Sequence, residues 1–304
     1  MDGMSVPRKN MIARRTHSRV SGRKQMISGR KRNKNLTRFS LVKFQALVKR
    51  YYRECGRHSL PWRQTRDPYR ILVSEIMLQQ TQVDRVIPKY NSFLKKFPTV
   101  KRLASASLAS VLRVWQGLGY NRRAKYLHEV AKIIARSGGS VPRTFEALRA
   151  LPGIGDYTAR AIRSFAWSEP ELLIETNIRT VFLHHFFSQA KSVADSQLVP
   201  YMELCLDTKN PREWYFALMD YGSHLKKTIG NASQRSAHHI RQKPFKGSDR
   251  EIRGAILRAL SKKSQSLKNL LELPFSKKRI QAQLQKLLRE GLIALHASRY
   301  ALHA

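Results

Sequence analysis

Two glutamates in this chain stand in apolar company, and together they outline a chemistry. Glu75 lies in Ile71-Leu72-Val73-Ser74-Glu75-Ile76-Met77-Leu78. A carboxylate among that much hydrocarbon loses hydration, which raises its pKa and lets it act as an acid near neutral pH. The alternative is a place on the solvent stripe of an amphipathic helix, which only Ser74 and Gln79 would share. Glu175 ends a second apolar run, Leu172-Leu173-Ile174, just before Thr176-Asn177-Ile178. Taken alone, it reads first as a cap on the following helix, favoured by the helix dipole. Two acids in apolar settings are nevertheless the minimum equipment for cleaving a bond at an anomeric carbon. One protonates the leaving group, and the other faces the oxocarbenium-like sugar. The bond between a nucleobase and deoxyribose belongs to the same chemical class.

The elements that must position these acids are helical. An apolar helix (Phe145, Leu148, Leu151) runs into Leu151-Pro152-Gly153-Ile154-Gly155, and a second helix follows through Tyr157, Thr158 and Ala161. Gly153 and Gly155 allow a tight turn and a close approach to another surface. The first amides of the second helix then point outward, backed by the dipole, and suit a phosphate. Gln79, Gln80 and Tyr120 sit beside helix ends or glycine turns, where they could wedge into a base stack or touch base edges. Most exposed glutamines have no such role. Helical periodicity begins near Phe39 (Leu41, Phe44, Leu47, Val48, Tyr51) and persists to about residue 225. Amphipathic stretches fall near 68–80, 82–96, 107–115, 122–136, 144–151, 156–167, 176–187, 195–206 and 211–222. No strand-like alternation competes, so an all-α body is expected.

Around that body the composition changes. Residues 1–38 are basic with few apolar positions, and read as a disordered arm that either holds DNA nonspecifically or is a solvated tail. Residues 226–246 read as a polar, basic linker. Ser248-Asp249-Arg250-Glu251 then has the form of a capping box opening a helix. Two more helices and a hairpin turning at Ala297-Ser298 complete a winged-helix pattern over 247–304. Its third helix, carrying Lys277, Lys278, Arg279 and Lys286, would be the groove reader. A protein-docking role is the alternative for such a module.

The 304 residues carry a formal charge of +38, with 42% hydrophobic residues. The pI is about 11.0. That excess implies a polyanionic partner, with nucleic acid ahead of a membrane surface. No apolar run reaches the ~18–20 residues of a bilayer span, and the N-terminus lacks a secretory apolar stretch. Cys55 and Cys205 are the only cysteines. They build neither a disulfide framework nor a four-cysteine metal site, which fits a reducing, intracellular setting. His184-His185 and His238-His239 are sequence neighbours that point to different helix faces, so no metal site is expected from them.

At this point the residues resemble a known family. Ser74-Glu75-Ile76-Met77-Leu78-Gln79-Gln80-Thr81-Gln82, Gly117-Leu118-Gly119-Tyr120, and Leu151-Pro152-Gly153-Ile154-Gly155 followed by Glu175-Thr176-Asn177 resemble the helix-hairpin-helix DNA glycosylases. Within that superfamily they are most similar to the MutY-type adenine glycosylases, over about residues 40–225. The resemblance implies two helical lobes flanking a DNA cleft into which a nucleotide is flipped. It implies that Glu75 protonates the purine at N7, that Glu175 stabilises the oxocarbenium ion or adds to it transiently, and that Asn177 orients the catalytic groups. Gln80 and Tyr120 match residues that invade the duplex. Strand-cutting relatives carry a Schiff-base lysine two residues after the second glycine; here that position is Tyr157, so hydrolysis without strand cleavage is implied.

Three departures accompany the match. Glu175 stands where the family has aspartate. The family's iron–sulfur cysteines should follow Met219-Asp220-Tyr221-Gly222, but the chain reads Ser223-His224-Leu225-Lys226-Lys227. The winged-helix segment replaces the domain that reads 8-oxoguanine. The expectation is thus a body over 39–225, with its hairpin at 144–166. It would remove adenine opposite guanine or 8-oxoguanine in base-excision repair. Other mispaired or alkylated bases, or DNA binding without catalysis, are the alternatives. No cofactor is expected beyond a monovalent cation at the hairpin. The expected partner is double-stranded DNA bearing a mismatch or lesion, bound by a monomer with no membrane association. The expected location is cytoplasmic (nucleoid-associated) or nuclear.

Overall fold

The computed structural model describes residues 38–238 and 244–304. The basic arm, apart from Arg38, and His239 lie outside the described residues. The body consists of α1 (Arg38–Cys55), α2 (Pro68–Leu78), α3 (Val83–Lys96), α4 (Val100–Ala104), α5 (Leu108–Trp115), α6 (Arg122–Arg136), α7 (Phe145–Arg149), α8 (Asp156–Trp167), α9 (Thr176–Phe186), α10 (Asp195–Cys205) and α11 (Pro211–Thr228). These bounds follow the amphipathic stretches closely, with two differences. The five-residue α4 is too short to show a period of its own. Helix α11 continues to Thr228, so Lys226 is helical and does not belong to a linker.

Local chemistry sets several of these starts. The Asp67 carboxylate accepts from the amides of Tyr69 (2.8 Å) and Arg70 (3.3 Å), and Pro68 occupies the first turn of α2. Thr99, Ser107 and Thr144 cap α4, α5 and α7 in the same way.

Helices α2–α8 pack among themselves, whereas α1 leaves its sequence neighbours and packs against α10 and α11. Two lobes result, and the chain crosses between them near 56–67 and 168–175. Asp220, buried on α11, fastens the first crossing. It accepts from the Arg57 amide (2.7 Å) and from the guanidinium groups of Arg57 (2.8 Å) and Arg63 (2.7 Å). Burial pushes this carboxyl up, but the hydrogen bonds and charges of the two arginines outweigh it and hold it below its usual range. Buried Arg212 ties the same crossing to α11 by donating to the carbonyls of Arg63 (2.9 Å) and Thr65 (2.6 Å).

The C-terminal part contains α12 (Asp249–Lys262), β1 (Gln265–Ser266), α13 (Leu267–Leu271), α14 (Lys277–Arg289), β2 (Ile293–His296) and β3 (Arg299–Leu302). The strands form an antiparallel sheet in the order β1-β3-β2, with Ile293 opposite Leu302 and Leu295 opposite Tyr300. Ala297 and Ser298 are both left-handed (φ 44° and 62°), which gives the two-residue turn the twist its strands need. The expected capping box does not form. The Ser248 hydroxyl donates back to the Phe245 carbonyl (2.6 Å). Glu251 instead accepts from the amide of Gly247 (2.6 Å), which the left-handed conformation of that residue (φ 75°) brings round to it.

This part is fixed to the body through Glu290. Its carboxylate accepts from Arg122 on α6 (2.7 Å) and from Arg253 on α12, and its carbonyl accepts from Lys125 on α6 (2.7 Å). No helix among the described residues is long and apolar enough to cross a membrane.

Candidate active site

Every residue from Ile71 to Met77 is buried, so α2 has no solvent stripe in the stretch that contains Glu75. The Glu75 side chain retains only 9% exposure. Burial first, and then the negative charge of Glu175, pushes its carboxyl up to about 8. Helix α8 packs on α2, and Gln79 Nε2 donates to Thr158 Oγ1 (3.2 Å) where the two helices meet. One residue before Thr158, Tyr157 stays partly accessible. Burial, followed by the charges of Glu75 and Glu175, raises its hydroxyl well above the ordinary value, so it is a hydrogen-bond donor at every working pH.

Glu175 reaches the same place from the other lobe. Its Oε1 accepts from the backbone amides of Asn177 (2.8 Å) and Ile178 (2.9 Å), and its Oε2 accepts from Asn177 Nδ2 (3.3 Å). The helix-cap reading is therefore correct, and it is compatible with a second role, because the cap faces Glu75. Burial raises the Glu175 carboxyl, while the two amides, Lys226 and Arg179 oppose that rise. Glu75 has no such support. When the pair holds one proton, the proton belongs on Glu75 and the negative charge on Glu175. The structure thus brings Glu75, Tyr157, Glu175 and Asn177 together at the junction of the lobes.

The residues read as facing a duplex gather beside this junction. Gln79, Gln80, Tyr120 and Gly153 line a groove of about 530 Å³ whose far wall includes Arg250 and Lys286 of the C-terminal helices. Gln80 (φ 55°) and Tyr120 (φ 46°) are both left-handed without being glycine, a strained conformation that surrounding contacts must impose. Arg123 imposes it. Its guanidinium, almost wholly buried, donates to the carbonyls of Ile76 and Met77 (2.9 Å each) at the end of α2, and to those of Leu118 (3.3 Å) and Gly119 (3.2 Å) in the turn before Tyr120. The Tyr120 ring lies between Arg123 and Arg250, 5.4 and 5.3 Å from its centroid, and its hydroxyl accepts from Arg250 (2.7 Å).

The hairpin glycines divide their work differently from the sequence expectation. Gly153 is left-handed (φ 74°), and a Cβ there would lie 2.6 Å from the Tyr126 ring. Gly155 has an ordinary φ of −89° and open space around it. Its value at the start of α8 is therefore access to the unpaired amides, not backbone freedom. On α14, Lys277 and Lys278 are exposed and do not line the groove. Arg279 is held by Asp249 (2.8 Å) and the Gly247 carbonyl (2.9 Å).

Sequence reading missed Arg123, Lys226 and Gly222. The first is one arginine of a pair in a highly basic chain, and the second sits in a polar run. Gly222 lets α11 press on the first turn of α9, where an added Cβ would stand 2.2 Å from the Asn177 carbonyl oxygen. Gly222→Ala is expected to push Asn177 and Glu175 out of place and to cut the rate of any reaction they carry about a hundredfold, since ~1 Å errors cost that much. Single-turnover kinetics beside a DNA-binding titration would check this, with binding retained.

The two cysteines of this sequence do not fit the donor set of an iron–sulfur cluster. Cys55 is exposed at the end of α1 and Cys205 is buried in α10, and four thiolates are required.

The chain belongs to the HhH-GPD superfamily of base excision DNA repair proteins, whose family model matches residues 73–278. It is 36% identical over 226 residues to an adenine DNA glycosylase of Mycolicibacterium smegmatis, covering 67% of this chain and 76% of that one. It is 40% identical over 148 residues to an adenine DNA glycosylase of Buchnera aphidicola, covering 48% of this chain but only 42% of that protein's length. Among solved structures, a thermostable thymine-DNA glycosylase superposes with a TM-score of 0.53 at 25% identity, over 61% of this chain and 87% of that one.

Proposed function

We propose that this protein is a monofunctional adenine DNA glycosylase that hydrolyses the N-glycosidic bond of adenine mispaired with guanine or 8-oxoguanine. The observation that carries the reading is two buried carboxyls that feel each other's charge, Glu75 pushed up to about 8 and Glu175 held by the amides of Asn177 and Ile178, with Tyr157 feeling the charge of both. Relatives named adenine DNA glycosylase support the choice of base, as does the Gln79-Gln80-Thr81-Gln82 run beside Glu75.

The flipped adenine enters the junction and takes the Glu75 proton at N7, which turns the base into a neutral leaving group. As the bond lengthens, positive charge grows on the sugar, and Glu175 opposes it from a fixed position. Water then adds to C1′, with the ionised Glu75 available to accept its proton. Tyr157 has no amine, so no imine forms and the strand stays intact. The duplex lies against the groove bearing Gln80 and Tyr120, with its phosphates near the open N-terminus of α8. The Leu151 carbonyl in the hairpin accepts one backbone hydrogen bond, from the Ile154 amide (3.2 Å), and keeps a second lone pair for a monovalent cation there; no step passes through it.

Duplexes carrying each mismatch, incubated with the protein and then treated with alkali, test the proposal. Alkali-dependent breaks at adenine opposite guanine or 8-oxoguanine are expected. Breaks at thymine, uracil or an alkylated purine would assign a different base, and scission before alkali would contradict the role given to Tyr157.

A further inference from the structure

We propose that Lys226 is a positioning residue for the reaction, fixing the Asn177 amide and supporting the negative charge of Glu175. The proposal rests on the glycosylase reading above and on a directional chain of hydrogen bonds. Lys226 Nζ donates to Asn177 Oδ1 at 2.9 Å, and Asn177 Nδ2 faces Glu175 Oε2 at 3.3 Å. An ammonium has only donors and an ionised carboxylate only acceptors. The amide between them therefore has one favourable orientation. A flip would set its oxygen against the carboxylate and its NH2 against the ammonium. The cation thus selects the rotamer in which Asn177 donates to Glu175.

The approach of α11 makes this contact possible. Gly222 lies against the Asn177 backbone, and Lys226 follows four residues later on the same face of the helix. The side chain is partly buried, and burial lowers its pKa while Glu175 opposes the fall. The other charged and titratable groups facing Glu175 are Glu75 on α2, Tyr157 on α8 and Arg179 on α9. Arg179 is already engaged by Asp195 on α10 through two hydrogen bonds (2.8 and 2.7 Å). Lys226 is the cation joined by hydrogen bonds to the Asn177–Glu175 pair.

Two departures from the family pattern thereby become one coupled change. Glutamate in place of aspartate adds a methylene and a rotatable bond, which must be restrained. The segment after Gly222, which lacks the thiolates of a cluster, supplies a lysine whose hydrogen bond to Asn177 contributes that restraint.

Single-turnover base release from an adenine:guanine duplex, measured across pH for Lys226→Met and Lys226→Arg, tests the proposal. With Lys226→Met, the rate at neutral pH is expected to fall roughly ten- to a hundredfold. The acid limb, set by ionisation of Glu175, should move up by about one pH unit. Affinity for a duplex bearing 2′-fluoro-deoxyadenosine, which resists cleavage, should be unchanged. Lys226→Arg should restore the acid limb. A lower rate with an unmoved limb would overturn the proposal, as would an unchanged rate. The carboxyl 13C titration of Glu175, identified by its loss in Glu175→Gln, decides the point independently of turnover. Its midpoint should rise in Lys226→Met even if the unsubstituted protein releases no base; that second result would count against the glycosylase reading alone.

Discussion

Glu75→Gln is expected to lower single-turnover base release by about a thousandfold while leaving affinity for an adenine:guanine duplex intact, since a positioned general acid contributes ~10²–10⁴. The glutamine keeps the size of the side chain and loses its exchangeable acid proton. Glu75 lies in a helix buried from Ile71 to Met77 and is not among the groove-lining residues, so the substitution leaves the contacts made by the groove in place. The pH profile adds a second readout. Glu75 works in its protonated form, and burial with the Glu175 charge places its titration at about 8. The rate of the unsubstituted protein should therefore hold through neutral pH and decline as pH rises through about 8. The residual rate of the variant should lack that alkaline limb. Turnover comparable to the unsubstituted protein would remove Glu75 from the mechanism.

Glu175→Gln separates the two roles that Glu175 combines. The amide oxygen of glutamine still accepts from the Asn177 and Ile178 amides, so the cap on α9 survives and folding should be little affected. What disappears is the negative charge opposite the developing cation. A purely capping residue would tolerate the change with nearly full activity. The electrostatic role predicts a loss of about 10²–10³ in the rate of base release. Removing the like charge should also lower the pKa of Glu75, so the alkaline limb should shift to lower pH. Thermal unfolding measured beside the pH–rate profile distinguishes the two roles.

Much of the fold was legible because amphipathic period and turn residues act locally. The stretches near 122–136 and 156–167 coincide with α6 and α8. The C-terminal hairpin also falls where Ala297-Ser298 placed it. Signals that depend on tertiary context were not legible. Ser248-x-x-Glu251 has the letters of a capping box, yet the left-handed Gly247 redirects Glu251 to its own amide. Lys226 reads as a linker residue because a polar run hides the helix that packing on α9 sustains.

The acids show why local environment alone does not define a site. Asp220 stands in an apolar run, as Glu75 and Glu175 do, but Arg57 and Arg63 pair with it and make it a structural anchor of low pKa. No cation opposes the burial of Glu75, which with the Glu175 charge pushes its carboxyl up to about 8. The distinguishing partners come from a crossing segment more than 150 residues away in sequence, a distance that no local pattern spans.

Quantification of free adenine beside the fate of the strand, from a duplex with adenine opposite guanine or 8-oxoguanine and protein in excess, tests the central claim most directly. Stoichiometric release of the unmodified base is expected at neutral pH, from a strand that remains full length until alkali is added. Tight duplex binding with no free adenine, or a broken strand before alkali, would contradict it.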